Sequence, residues 1–121
     1  MASIPLNTFK NASYGAGTLP ITSTPSIVYT APAGVTSIIL MAQVANITNA
    51  ATTVTFIYNQ FRQGQSILPV TIVNQVIVPP NDSLMLLGGR LILQTYDSIS
   101  IASSISGSLH FVASILESAN Q

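Results

Sequence analysis

The sequence predicts an all-β fold: a single β-sandwich of jelly-roll or immunoglobulin-like type with seven to nine strands, preceded by an extended N-terminal arm. Three observations lead there. Side-chain polarity alternates with a period of two through most of the chain. Valine, isoleucine and threonine dominate the alternating runs, as suits residues whose branched β-carbon packs well on a pleated surface. Proline, glycine and Asn/Asp turns interrupt those runs at short intervals.

The organisation reads as an arm over 1–25 and a sandwich over 26–121. The arm contains Pro5, Gly15, Gly17, Pro20 and Pro25, with Ile4, Leu6 and Phe9 as its apolar start. These three are the candidate interface residues: the arm could pair with the sheet edge of a neighbouring subunit, or pack as a first strand on its own domain. Strands are expected near 7–11, 26–31, 35–46, 52–61, 67–78, 83–87, 90–95, 98–104 and 108–116. Tyr14-Gly-Ala-Gly17 and Leu19-Pro20 divide the arm from the body. Ala31-Pro-Ala-Gly34, Pro79-Pro-Asn-Asp82, Gly88-Gly89, Tyr96-Asp97-Ser98 and Ser106-Gly107 supply the later turns. Alternation assigns the faces: Val54, Phe56 and Tyr58 against Thr53, Thr55 and Ile57; Ile99 and Ile101 against Ser98 and Ser100; Leu109, Phe111, Ala113 and Ile115 against Ser108, His110 and Ser114. The expected core is Ile39, Met41, Phe56, Leu91, Leu93, Ile99, Ile101, Leu109, Phe111 and Ile115. No window carries apolar residues at helical spacing between caps, so at most a short turn is expected over 114–121.

Composition narrows the function. The 121 residues are 48% hydrophobic and only 5% charged, against about 25% in an ordinary soluble domain. Net charge is zero, so little electrostatic repulsion opposes association, and a permanent assembly is expected to cover much of the surface. Three basic residues cannot form a phosphate-binding stripe, which argues against nucleic acid. The apolar runs, such as Ile38 to Ala42, have the length of strands and fall short of the roughly 18 residues of a membrane helix. Residues 1–10 lack a basic start followed by an apolar stretch, so no secretory signal is expected, and cysteine is absent.

No catalytic, cofactor or metal site is expected. His110 is the only histidine, so no histidine pair is available to hold a metal, and its place among Ser108, Phe111 and Val112 in a terminal strand reads as a surface or interface position rather than a catalytic base. Asp82, Asp97 and Glu117 are isolated, and the two aspartates sit in turns where a carboxylate commonly binds the backbone. Gly88-Gly89 lacks the helix and lysine of a phosphate loop. Arg62 and Arg90 stand apart, as interface anchors or carboxylate partners. Asn11-Ala-Ser13, Asn46-Ile-Thr48 and Asn81-Asp-Ser83 match glycosylation acceptors, which chance supplies readily in a chain so rich in Asn and Ser.

Several segments together resemble small virion structural proteins of T-even-like myophages of marine cyanobacteria. They are Met-Ala-Ser-Ile-Pro-Leu-Asn-Thr-Phe-Lys10, Val28-Tyr-Thr-Ala-Pro-Ala-Gly-Val-Thr-Ser-Ile-Ile-Leu40, Ala42-Gln-Val-Ala-Asn46, Leu87-Gly-Gly-Arg-Leu-Ile-Leu-Gln94, Asp97-Ser-Ile-Ser-Ile101 and Ile115-Leu-Glu-Ser-Ala-Asn-Gln121. The resemblance implies a non-enzymatic part of a tailed-phage particle, located in the virion and made in the host cytoplasm. A capsid decoration protein on the major shell is the first expectation. A neck, tail or fibre component forming a ring or trimer is the second, and a carbohydrate-binding module for host recognition is the third. The expected partners are other virion proteins and further copies of the chain, without cofactor, nucleic acid, membrane or small molecule.

Overall fold

Each alternating run becomes a strand in the computed structural model, which describes residues 7–16 and 20–119. The nine strands are β1 (Asn7–Tyr14), β2 (Ser26–Thr30), β3 (Val35–Asn46), β4 (Thr52–Gln60), β5 (Leu68–Val78), β6 (Ser83–Met85), β7 (Leu91–Leu93), β8 (Ser98–Ser103) and β9 (Leu109–Ala119). No helix occurs among the described residues. The turn residues sit where their backbone angles require them: Gly15, Gly34, Gly107 and Asn81 all take positive φ. Gly15 is also sterically fixed, because a Cβ there would stand 2.3 Å from the carbonyl oxygen of Leu109.

The pairing is nested. β1 lies antiparallel to β9, β2 to β8, β3 to both β6 and β7, and β4 to β5. The chain is thus one long antiparallel ribbon doubled at the β4–β5 hairpin. Rolling it adds the β3–β9 and β4–β8 pairs, giving sheet A in the order β1-β9-β3-β6, with β7 also on β3, and sheet B in the order β2-β8-β4-β5. This is jelly-roll connectivity, which decides between the two sandwich types expected from sequence. The segment of the expected arm covering Asn7–Tyr14 is the edge strand of sheet A in its own domain. Ile4 and Leu6 lie outside the described residues.

The inner faces meet in a core that includes Ile21, Ile39, Val44, Val54, Phe56, Val78, Leu93, Ile99, Ile101, Leu109, Phe111 and Ile115. Each fully buried side chain of this size contributes about 1.5–3 kcal/mol. Phe56 of sheet B and Phe111 of sheet A join the layers, ring centroids 6.0 Å apart. Two residues of the expected core are placed differently. Met41 is half-buried because a bulge between Ile39 and Met41 inserts one residue and inverts the phase of β3. Ser37 and Ile39 face inward before the bulge, and Ala42, Val44 and Asn46 after it. Leu91 packs at the margin of the core, half-buried at the start of the short β7.

Polar groups inside the sandwich are paired. Asn46, 2% exposed, donates from Nδ2 to the carbonyls of Ala50, Val78 and Pro79 at 2.8, 3.1 and 3.2 Å. Its Oδ1 accepts from the backbone N–H and the hydroxyl of Thr48. One side chain therefore ties the β3–β4 turn to the far end of β5. Among the described residues no buried side-chain nitrogen or oxygen lacks a partner.

Candidate assembly surface

The outer face of sheet A is built by register. Phe9 on β1 lies opposite Leu116 on β9, Leu116 opposite Ile38 on β3, and Ile38 opposite Ile92 on β7. One apolar row thus crosses four of the five strands of sheet A. Phe9 is 74% exposed and Ile92 57%, with Leu116 and Ile38 half-buried between them. Two rows further on, Val112 faces Gln43, which faces Met85; Val112 and Met85 are also exposed. The side chains between these rows are Asn11, Ser114 and Met41. No acid, lysine or arginine stands in these rows.

A second apolar surface lies on the β4–β5 ribbon. Ile67, Leu68, Val70, Ile72, Val76 and Ile77 are all exposed, and no ionisable side chain occurs from Gln63 through Asn81. β5 pairs with β4 alone, so its other edge is open. Pro69 and the irregular pairing opposite Val54–Ile57 partly blunt that edge, as natural proteins do to limit unwanted strand pairing. β5 and β2 are the opposite edges of sheet B, and β1 is in contact with β2. The edge strands β1 and β5 therefore lie at opposite margins of the sandwich.

Most of the few charged groups are bonded within the fold. At the β1–β2 margin the Tyr29 hydroxyl bonds Ser37 Oγ at 2.7 Å and donates to Glu117 Oε2. Lys10 Nζ stands 3.5 Å from the same carboxylate and 5.8 Å from the centre of the Tyr29 ring. Burial, followed by the hydrogen bond to Glu117, pushes the Tyr29 hydroxyl up to about 12. Asp97, 2% exposed, accepts from the backbone N–H groups of Phe61 and Gln94 and from the Tyr58 hydroxyl. Burial and that bond raise Tyr58 to about 12 as well. Asp82 accepts from the backbone of Ser83. Both aspartates thus bind turn backbone, as their sequence context suggested. Arg62 reaches the carbonyl of Ser66, and His110 lies half-buried on β9 opposite Ala45. No cluster of metal-ligating side chains occurs among the described residues.

Of the three candidate interface residues, only Phe9 is described, and it begins the apolar row on sheet A. Its companions Leu116, Ile38 and Ile92 escape sequence reasoning because nothing local says that four residues spread over more than a hundred positions share one register.

No protein-family model matches the chain, and no curated protein matches its sequence. Solved structures do match its fold. A chain from the endospore appendages of Bacillus, described as a novel family of disulfide-linked pili, superposes with a TM-score of 0.54 at 8% identity. The match covers 100% of this chain and 98% of that one. A chain of the T13 particle of infectious bursal disease virus gives 0.56 at 7% identity, covering 99% of this chain and 33% of the viral one. The Gx strain of that virus gives 0.54 at 9%, over 94% and 31%. This chain thus spans about a third of the viral chains and nearly the whole appendage chain. With no cysteine in its 121 residues, it has none of the disulfide chemistry named for those pili. At these identities the likeness is one of fold: the chain shares its rolled antiparallel sandwich with a pilus chain and with chains of viral particles.

Proposed function

We propose that the protein is a structural component of a virion, a tailed-phage capsid decoration protein that docks on the major shell through the outer face of sheet A. The observation that carries this reading is the uncharged row Phe9–Leu116–Ile38–Ile92, set in register across four strands. Folding does not require an apolar row on the solvent side of a sheet, and large exposed apolar patches mark contact surfaces. The near absence of charge supports a part that docks once and stays, since permanent interfaces are the more hydrophobic ones. The sequence resemblance to phage virion proteins and the fold shared with viral-particle chains point the same way.

The second reading, a ring or trimer of the neck, tail or a fibre, draws on the edge strands β1 and β5 at opposite margins. Contacts between unlike surfaces generate closed rings or open filaments. Quantitative mass spectrometry of purified particles separates the two: hundreds of copies mean decoration, and a small multiple of the tail symmetry means a ring. The double variant Phe9→Lys/Ile92→Lys should fold normally and fail to bind particles that lack the protein. A double variant that binds as tightly as the native chain would overturn docking through sheet A. Absence of the protein from purified particles would overturn the virion reading itself.

A further inference from the structure

Where the β4–β5 loop meets the turn between β7 and β8, Phe61 and Tyr96 stand edge to face. Their ring centroids are 5.2 Å apart and their planes 76° to one another. Both remain open to solvent, 40% and 49% exposed, beside an open groove of about 510 Å³ also lined by Thr36, Gln63, Gln94 and Thr95. In the sequence the two aromatic residues stand 35 positions apart, and no local spacing links them. The fold links them by bringing residue 61 against residue 96.

The pair is held from beneath. The buried Asp97 carboxylate takes the N–H of Phe61 at 2.8 Å on Oδ1, and the N–H of Gln94 at 2.9 Å on Oδ2. The Tyr58 hydroxyl also reaches Oδ2, at 2.7 Å. Tyr96 donates its own N–H to the carbonyl of Ala31 at 2.9 Å and takes φ of +68°, a conformation that favours glycine. A large aromatic ring kept in that conformation beside an open groove is the kind of local strain that gathers at ligand sites. Nothing lining the groove is charged. The side-chain amides of Gln63 and Gln94 form no hydrogen bond with any other described residue, so their donors and acceptors are available to a ligand.

We propose that this groove is a binding site for a neutral saccharide. The chemistry is matched on both counts: a pyranose ring offers a C–H face to aromatic surface and a rim of hydroxyls to amide groups. The uncharged lining gives no purchase to a phosphate or carboxylate, and a purely apolar ligand would leave the amides unused. A fixed ring pair reduces the ordering cost of binding. The site is shallow and small, so binding to a single sugar unit should be weak, in the millimolar range, and multiplied by copy number in an assembly. This inference does not rest on docking through sheet A, because none of the four row residues lines the groove.

The test is an NMR titration of the full chain, with amide-nitrogen labelling, against glucose, galactose, mannose, N-acetylglucosamine, lactose and maltose. At least one sugar should move the Gln63 and Gln94 side-chain amide signals saturably, together with the backbone signal of Tyr96. Tyr96→Gly removes the ring at a backbone angle that suits glycine, so folding is not at risk; it should weaken binding roughly tenfold or more. Tyr96→Phe should retain it. Particle binding by Tyr96→Gly should be unchanged, which keeps this outcome separate from the docking proposal. No saturable shift with any of the six sugars would overturn the inference, as would equal affinity in Tyr96→Gly. Shifts produced only by glucose 6-phosphate, or only by a neutral peptide, would also overturn it.

Discussion

The two sheets share one ribbon and one alternation of side chains, yet their outer faces differ in kind. On sheet B, Ser98 and Ser100 face outward from β8 and are nevertheless 5% and 4% exposed, because the Asn59 amide on β4 covers both hydroxyls at 3.3 and 3.1 Å. Thr55 stands beside Ala102, and Ile57 beside Ser100. Around β8 that face is small, polar and satisfied by its own residues, with Ile27 exposed beside it on β2. On sheet A the equivalent positions carry Phe9, Leu116, Ile38 and Ile92, exposed at the two ends of the row and half-buried between them. Both faces are compatible with the sandwich, so folding alone does not call for the apolar row.

The comparison can be broken at several depths. The largest effect belongs to the inner faces that the sheets have in common. Phe111→Ala removes the ring that meets Phe56 and should cost about 3–5 kcal/mol in chemical denaturation. Next comes the polar staple. Asn46→Ala strips the Val78 carbonyl of its buried donor and should cost about 1–3 kcal/mol, with hydrogen exchange rising first at the end of β5. On the outer faces stability should hardly move, by about 0.5 kcal/mol or less for single surface changes. There, Ile92→Lys on sheet A should reduce sedimenting oligomer or particle binding, and Ile27→Lys on sheet B, 59% exposed, should leave it unchanged. Equal effects from the two would erase the distinction.

The smallest effect is alkaline. Tyr29 and Tyr58 ionise near 12 in the folded chain and near 10 when unfolded, so the folded state holds their protons more tightly. Their contribution is complete below pH 10 and is lost as pH rises from 10 to 12. Melting temperature should therefore fall through that window. Tyr29→Phe, which cuts the bond between sheet B and Glu117 of sheet A, should flatten the decline more than any change on the outer faces.

Much of this fold was legible in the sequence because a strand announces itself locally. The observed strand ends lie within three residues of the expected ones, and Asp97 bonds a turn as its neighbours implied. What failed was phase. The bulge at Leu40 is invisible in a run of five apolar residues from Ile38 to Ala42, so strict alternation from Ile39 puts Met41 rather than Ala42 in the core. The surface row and the aromatic groove were out of reach for a different reason. Each is made of residues that only long-range pairing brings together, and no spacing rule encodes register.

The nested pairing also sets an order of events. Only β4 and β5 meet across a short loop, whereas closing β1 onto β9 brings together residues such as Asn11 and Ser114, 103 positions apart. Contacts this distant in sequence slow folding, toward the millisecond-to-second range of β-sandwiches. The ribbon should therefore zip outward from its doubled end, with the edge strand β1 added last. Throughout that wait the uncharged β5 is already formed and uncovered, which places the time of greatest aggregation hazard before the native state exists. Expression yield should then track the speed of closure more closely than the final stability.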